Sequence, residues 1–190
     1  MKAGGSHGRC RAAAAAHGTG VALLLAACAS APPTGDVGID GIACALPDQA
    51  LPAALHLLPD AAMPRTTEGA SGQGGICRGR IYETRVPLVL HRLWEAERGN
   101  ELGHWWTLQP PAGGRADYRR AYAVCETWNA LDRAVTCTLA PGARVVVGSG
   151  QSATCAEASY AKSSLAQVYV LPDPGSGVLP LADCRARPFP

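Results

Sequence analysis

The sequence predicts an α+β fold, in which one main amphipathic helix packs on an antiparallel β-sheet and disulfides staple the domain. Three observations support this prediction. Short alternating or apolar runs, separated by Pro and Gly turns, recur between residues 41 and 171, as is typical of antiparallel strands. One stretch, about residues 115–129, repeats its apolar residues with helical spacing. Beyond residue 28 the cysteines are even in number, which favours a disulfide framework in an exported chain.

The N-terminal residues have the composition of a targeting leader. Lys2, Arg9 and Arg11 precede an alanine-rich run, and the strongly apolar part is confined to residues 21–27. This part is far shorter than the ~20 residues that a membrane-spanning helix needs. The segment therefore indicates export rather than a transmembrane span.

The leader ends in Leu25-Ala26-Ala27-Cys28, an apolar residue and two small residues before a cysteine. This motif resembles the lipobox of bacterial lipoprotein signal peptides, and the resemblance covers the leader only. It implies that the Cys28 thiol receives a diacylglyceryl group and that residues 1–27 are removed. The new amino terminus is then usually acylated, which gives a membrane anchor. Because Ala29 rather than aspartate follows, the resemblance implies the periplasmic face of the outer membrane.

Two other interpretations of this region remain open. Ala29-Ser30-Ala31 has the small-x-small form of an ordinary secretory cleavage site, which would release a soluble protein without Cys28. Alternatively, an alanine-rich cytosolic N-terminus contains a cysteine by chance. Under the lipoprotein interpretation, residues 28–40 are a flexible tether rich in small residues, Pro and Gly, and residues 41–190 form a single globular domain.

The charge balance excludes some classes of partner. The chain carries a formal net charge of +2, and removing the three cationic residues of the leader leaves a nearly neutral body. Such a body gives no support for nucleic-acid binding or for a polybasic membrane patch. The membrane is therefore expected to hold this protein through its lipid.

The cysteines predict three structural disulfides. They are Cys44, Cys77, Cys125, Cys137, Cys155 and Cys184. Six cysteines allow 15 pairings, and nearest neighbours give Cys44–Cys77, Cys125–Cys137 and Cys155–Cys184, with Cys137–Cys155 as an alternative. No two of them have the C-x₂₋₄-C spacing of a zinc site or the C-x-x-C spacing of a redox motif. No metal site is therefore expected.

The predicted elements before the helix are strands. Runs at 41–46 and 51–58, each ended by a Pro-Asp pair, are expected to form a first hairpin. The glycine-rich stretch 63–75 is predicted to be a loop. Residues 76–94 alternate well enough for two strands broken at Pro87, and 104–109 forms another.

The elements from the helix onward are mostly β again. The helix at about 115–129 carries an aromatic stripe of Tyr118, Tyr122 and Trp128. After it, apolar runs at 134–139 and 144–147 flank a Pro-Gly turn and predict a hairpin. Residues 165–171 form a last strand. The tail from Asp173 is rich in Pro and Gly and is expected to be loose except where Cys184 fixes it.

No catalytic constellation or cofactor motif stands out. His56, His91 and His104 lack the spacing of a metal site, and no G-x-S-x-G or phosphate loop is present. Cysteine nucleophiles need a free thiolate, which disulfides remove. No catalytic residue, metal or cofactor is therefore assigned. A pocket that joins His91 or His104 to a carboxylate would favour the enzyme interpretation.

Two features could bind a partner. Trp105 and Trp106 are adjacent on a predicted strand, so they face opposite sides; the outward one could stack on a glycan, on peptidoglycan or on an envelope protein, or both could be buried. Ser149 and Gln151 lie in the 148–154 stretch, which could project from a stapled hairpin like the contact loop of an inhibitor, or be an ordinary connection. Arg115, Arg119 and Arg120 are expected to form a solvated helix face.

Together these observations predict a lipid-anchored envelope protein that acts as a binding or structural module facing the periplasm. An inhibitor or immunity-type protein that blocks a toxin or hydrolase is the first alternative. A small envelope enzyme is the second.

Overall fold

The computed structural model describes residues 35–47 and 50–190. The leader 1–27, the lipobox Leu25–Cys28 and most of the tether lie outside the described residues, so lipidation and export stay predictions. Within the described part of the chain, no helix is long and apolar enough to cross a membrane.

Strands account for most of the regular structure. In chain order they are β1 (Leu55–Leu57), β2 (Arg80–Thr84), β3 (Leu88–Trp94), β4 (Trp105–Thr107), β5 (Arg133–Leu139), β6 (Arg144–Gly150), β7 (Ala153–Thr154), β8 (Ser159–Tyr160), β9 (Ser163–Val170) and β10 (Leu181–Pro188). A short 3-10 helix spans Ala96–Arg98, and α1 spans Arg115–Tyr122. The predicted α+β fold, an antiparallel sheet with one main helix, is confirmed.

Eight of the described strands form one antiparallel sheet, in the order β1-β2-β6-β9-β4-β3-β5-β10, and β7 and β8 form a separate pair. One face of the sheet carries a cluster of buried apolar side chains drawn from β3 and β5 as well as from β6 and β9. Leu55 on one edge strand and Leu181 on the other both pack against this same cluster. The sheet therefore curls around an inner core.

Helix α1 is shorter than expected. The sequence predicts a helix to about residue 129, but α1 ends at Tyr122 because Ala123 adopts a left-handed conformation (φ 51°, ψ 52°). Such a residue stops a helix, and here its N–H caps the helix by donating to Arg119 O. The aromatic stripe therefore continues into a loop.

The hairpin predicted on either side of the Pro-Gly turn is wrong. Strands β5 and β6 flank that turn, yet β5 pairs with β3 and β10 while β6 pairs with β2 and β9. The turn is held by Thr84, whose N–H donates to Ala143 O (3.0 Å) and whose O accepts from Gly142 N (2.8 Å). Both strands are apolar on one face, and those faces meet in the inner core.

Two further expectations need correction. The runs at 41–46 and 51–58 do not form a hairpin, because β1 pairs with β2, and Ala43 bridges back to Val37. The tail from Asp173 is not simply loose, since β10 adds an edge strand beside β5. Residues 36–40, which composition assigned to the tether, lie against the domain through an Asp36–Arg80 ion pair (2.8 Å).

The disulfides are present, with a different connectivity. Cys44–Cys77 is confirmed. The other two pairs are Cys125–Cys155 and Cys137–Cys184, so the predicted pairs Cys125–Cys137 and Cys155–Cys184 and the alternative Cys137–Cys155 are wrong. The reason lies in the topology, because the unforeseen strand β10 brings Cys184 beside β5.

Candidate functional site

A cavity of about 490 Å³ opens beside β3 and β4, and side chains from both faces of these strands line it. Its walls come from β3, β4, α1, the loop that follows α1, and the glycine-rich stretch 66–75. This volume falls within the roughly 300–1,000 Å³ that is usual for small-ligand sites. The cavity is therefore the candidate functional site.

Aromatic side chains form much of the cavity wall. Trp105 and Trp106 come from β4, Tyr118 and Tyr122 from α1, and Trp128 from the loop after it. The tyrosines are one helical turn apart, so they lie on one face of α1, with ring centroids 4.5 Å apart. Trp106 is buried and its indole N–H donates to Gly103 O (2.7 Å). Trp128 remains 42% exposed, which places it at the mouth.

Arg92 reaches the cavity because two strands diverge beside it. Strands β3 and β4 share the pair His91↔Thr107; beyond it β3 continues along β5 while β4 pairs with β9. The guanidinium of Arg92 lies in the resulting gap. It donates to Trp105 O from Nη1 (2.8 Å) and to Asn100 O from Nη2 (3.2 Å).

Arg92 is a buried cation without a carboxylate partner in the described part of the chain. Only 6% of the residue is exposed, its Nε is buried without a hydrogen-bond partner, and burial lowers the pKa of the guanidinium. Burial also raises the pKa of the neighbouring Tyr118 phenol, so that group stays neutral. An unpaired buried cation is costly, and it suits a ligand with an anionic group.

Gly103 is required behind this guanidinium. A Cβ on Gly103 would lie 2.5 Å from Arg92 Nη2 and 2.8 Å from Cζ, which is closer than non-bonded atoms approach. The glycine therefore lets the guanidinium plane rest directly on the backbone. This contact fixes the position of Arg92 at the cavity wall.

Glycines also shape the opposite wall. Gly74 has φ +69°, and a Cβ there would lie 2.7 Å from Trp128 Cζ3, so the indole packs directly on the backbone. Glu68 belongs to the same wall and is the only other charged residue among those that line the cavity. Its Oε1 accepts a hydrogen bond from Gly79 N (2.7 Å).

The loop that carries Trp128 is held by two arginines. Arg98 donates to Trp128 O (3.1 Å) and to Thr127 O (3.2 Å). Arg119 is buried and donates to Val124 O (3.3 Å) and Asn129 O (2.8 Å). Arg119 is thus a support for the loop rather than part of a solvated helix face. Trp128 is held in place at the cavity mouth.

The four residues that the sequence singled out for partner binding separate into two groups. Trp105 and Trp106 lie together at the cavity, although on opposite faces of β4: Trp106 joins the inner core and Trp105 packs with Tyr169. Ser149 is buried in β6. Gln151 is fully buried and donates to Asp40 Oδ2 (3.1 Å) and Gly69 O (3.0 Å). The stretch at 148–154 is therefore not a projecting loop.

The histidines lie outside the cavity. His91 Nδ1 is 3.0 Å from Thr136 Oγ1, and burial together with Arg187 lowers the pKa of its ring. His104 Nδ1 is 2.8 Å from Val170 O, and its ring stacks on Tyr169. The cavity therefore does not join either histidine to a carboxylate, the arrangement that would favour the enzyme interpretation.

The residues that the structure describes contain no group of three or more His, Cys, Asp or Glu side chains placed to hold a metal ion. The cavity is lined instead by donors and acceptors suited to an organic ligand. Besides its charged and aromatic members these are Thr66, Thr67, Gln73, Asn100, Thr107, Asn129 and Gln167.

Sequence reasoning missed Arg92, Tyr118 and Tyr122 as site residues. The spacing of the two tyrosines predicts core positions on an amphipathic helix, and both are buried. Arg92 did leave a signal, because it shares the β3 face of Leu90 and Trp94, both of which are core residues. A cation at a core position of a strand is rare without a partner.

This chain shows little similarity to known proteins. No family model matches the chain, and no curated protein matches it. A solved structure of Tne2 in complex with Tni2 contains a chain that is similar over 60% of this protein and 93% of that chain, with 12% sequence identity and a TM-score of 0.43. At that score the likeness carries no argument about function.

Proposed function

We propose that this protein is an exported, lipid-anchored envelope protein whose domain binds a small acidic saccharide in the aromatic cavity. The lipobox at Leu25–Cys28 supports the anchor. The observation that carries the binding proposal is Arg92, a buried cation without a carboxylate partner among the described residues, in the wall of an aromatic cavity.

The aromatic wall favours a ligand with apolar ring faces. Trp105 and Trp128 offer indole surfaces at the cavity, and Trp128 is exposed at its mouth. The C–H faces of a sugar ring pack on such surfaces, while amide side chains of the lining satisfy its hydroxyl groups. Asn129 and Gln73 are among the amides in position to do so.

Arg92 favours a carboxylate on that ligand. A guanidinium pairs with a carboxylate through two parallel hydrogen bonds, and the buried Nε of Arg92 lacks a partner among the described residues. Because a hydrogen bond to a charged group contributes about 1.5–3 kcal/mol, this contact should separate an acidic sugar from its neutral parent by roughly 10- to 150-fold in affinity.

The proposal fits the protein better than an inhibitor that acts through a projecting loop. That hypothesis relied on Ser149 and Gln151, which are buried in the domain. A protein partner would have to use another surface. The cavity instead offers a bounded volume, two charged groups and a fixed aromatic rim.

The experiment that tests the proposal is calorimetric titration of the mature protein in detergent with N-acetylmuramic acid and with N-acetylglucosamine. The two sugars differ by a lactyl ether that carries a carboxylate. We expect the first to bind at least ten times more tightly. Equal affinity would remove the role of Arg92, and heat from neither sugar would overturn the saccharide proposal.

Two variants sharpen this test. Arg92→Gln should abolish the difference between the sugars, and Arg144→Gln, at an exposed position of β6, is the matched control that should keep it. Because Arg92 also holds Trp105 O and Asn100 O, its variant could unfold. Trp128→Ala, at the exposed mouth of the cavity, provides a second variant. It should weaken the binding of both sugars while the protein stays folded.

The anchor is tested separately, by the intact mass of the protein from a membrane fraction. We expect a chain that begins at Cys28 and carries a lipid adduct, with six thiols that react with iodoacetamide only after reduction. A chain without the adduct would overturn the lipid anchor and leave the cavity proposal standing.

A further inference from the structure

The first described segment folds back on itself. Residues 36–44, named here the N-terminal hairpin, are joined by the Val37↔Ala43 bridge and by Cys44 N, which donates to Asp36 O (2.8 Å). Gly41, at φ +74°, makes the turn and has nothing near the position of a Cβ. The hairpin is thus an ordered unit with an open tip.

This hairpin and the residues just after it expose large apolar side chains. Val37 is 42% exposed, Ile39 56%, Ile42 55% and Leu46 70%. Four such side chains within ten residues form an apolar patch on one small element, whereas scattered single exposures need no explanation. An exposed contiguous patch indicates a surface that meets a protein or a membrane.

The polar side of the hairpin is fixed to the domain. Asp40 accepts hydrogen bonds from Ser71 Oγ and from Gln151 Nε2 (3.1 Å), and its carboxylate pairs with Lys162 (3.2 Å). Lys162 Nζ also donates to Ile42 O (3.1 Å). The disulfide Cys44–Cys77 closes the segment. The apolar side chains are therefore presented outward by a rigid support.

The length of chain before the hairpin limits its distance from the anchor. Val37 follows Cys28 by nine residues, and an extended chain spans at most ~3.6 Å per residue, so the two are at most about 32 Å apart. An anchored Cys28 lies at the membrane, so the hairpin stays within about one bilayer thickness of the lipid headgroups.

Basic side chains lie beside the patch. Arg78 and Arg80 are exposed, and with Leu46 they line a small hollow of about 110 Å³. Arg80 pairs with Asp36, so Arg78 is the cation that faces solvent beside the patch. Apolar side chains next to a cation suit the interface of a membrane that contains anionic lipids.

We propose that the N-terminal hairpin inserts its apolar tip into the interfacial region of the phospholipid bilayer that holds the anchor. This inference rests on the lipid anchor of the proposed function. The lipid supplies the attachment, and the hairpin sets the orientation of the domain by adding a second, rigid contact with the same surface. The partner is the bilayer itself.

The test is paramagnetic broadening in nanodiscs of phosphatidylethanolamine and phosphatidylglycerol that contain a 5-doxyl phosphatidylcholine. The lipidated mature protein is used, and amide signals are followed by NMR. We expect the signals of Ile39, Ile42 and Leu46 to lose more than half of their intensity. Val178 is the internal control: it is also exposed (64%), but it follows the far end of β9, whereas Lys162 at the near end of β9 holds the hairpin.

Two substitutions complete the test. The double variant Ile39→Asp with Ile42→Asp should relieve the broadening at Leu46, and Val178→Asp should leave it unchanged. Equal broadening at Val178 and the hairpin, or none at either while the protein stays in the nanodisc, would overturn the proposal. Concentration-dependent shifts of the hairpin signals without lipid would assign the patch to a second copy of the chain instead.

The failure of this inference is distinguishable from the failure of the anchor. If the intact mass shows no lipid adduct and the protein leaves the nanodisc fraction, then the anchor fails and with it the basis of the hairpin contact. If the adduct is present and the hairpin signals remain sharp, only the hairpin contact is wrong.

Discussion

The inner core and the cavity share strands β3 and β4 and differ in almost every other respect. The inner core is mainly aliphatic, with Leu90, Val145 and Val168 fully buried. Beside β3 and β4, aromatic residues, glycines and the inward-facing Arg92 surround an open cavity of about 490 Å³. The inner core is filled, whereas the cavity is left open.

This difference separates the residues that hold the fold from those available to a ligand. A chain that only needed stability would fill the cavity, because each buried methylene contributes about 0.8 kcal/mol. Instead a buried arginine and several amides line it. The polar cavity is therefore the region in which we place the function.

The largest expected effect is a loss of stability caused by a cavity in the inner core. Leu90→Ala leaves a hole in the inner core, where Leu90 is fully buried, and should lower the free energy of unfolding by about 2–5 kcal/mol. Urea denaturation followed by tryptophan fluorescence measures this loss. Below the unfolding midpoint, the affinity for N-acetylmuramic acid should change less than twofold. A large loss of affinity in folded protein would mean that the two regions are not independent.

The disulfides allow the two regions to be compared directly. Replacing Cys125–Cys155 or Cys137–Cys184 by serine pairs should cost about 2–4 kcal/mol of stability in each case. Cys125 lies between Tyr122 and Trp128 in the chain and packs with Ala123, which lines the cavity, whereas Cys184 lies on exposed edge strand β10. Only the replacement of Cys125–Cys155 should weaken binding of the sugar, as measured by calorimetry. Equal weakening in both would show that affinity merely follows stability.

A smaller effect is expected at Gly74. Gly74→Ala places a methyl group against Trp128 and strains a left-handed residue, which should cost about 1–2 kcal/mol from the backbone alone. The indole must move, so affinity should fall as well. Gly142→Ala is the matched control, because Gly142 has φ +79° and nothing within 4 Å. Thermal unfolding of both variants measures the backbone strain, and calorimetry measures the effect of moving the Trp128 indole on sugar affinity. Equal sugar affinities of the two variants would contradict the role of Trp128.

The smallest effect concerns pH and leaves the cavity untouched. Hydrogen bonds from Ser71 and Ile42, together with Lys162, hold the pKa of Asp40 below its usual value. A folded-state pKa below that of the unfolded chain stabilises the fold above about pH 4, and this contribution is lost as the pH falls toward the folded value.

Asp40→Asn tests this dependence. Between pH 6 and pH 3 the unfolding free energy of the wild type should fall more steeply than that of the variant, measured by urea denaturation at each pH. Asp60→Asn is a control at an exposed aspartate. If the unfolding free energies of the two variants show the same pH dependence, Asp40 does not stabilise the N-terminal hairpin through its charge.

Local patterns in the sequence predict the strands better than they predict the pairing of those strands. The runs at 76–94, 104–109 and 165–171 all contain strands, because alternation reports which residues are half-buried. The hairpin at the Pro-Gly turn failed since Thr84, distant in the sequence, binds that turn and directs β6 toward β2. Pairing depends on such long-range contacts.

Only part of the site was predictable from the sequence, because the rest also depends on long-range contacts. The Trp105-Trp106 pair marked β4, and both residues line the cavity. Arg92 had a visible signal, namely a cation at a core position of β3, but its role depends on the divergence of β3 from β4. That divergence is a property of the whole sheet. Gln151 failed as a contact residue because Asp40 and Gly69 bury it.

The most direct test of the account follows the four indole N–H signals of the protein by NMR during titration with N-acetylmuramic acid. Trp105, Trp106 and Trp128 line the cavity, and Trp94 belongs to the inner core. We predict shifts at Trp105 and Trp128 that saturate together, with Trp94 unchanged. If no indole shifts, or if Trp94 shifts as much as the others, the cavity is not the site and the division between a structural and a functional region is wrong.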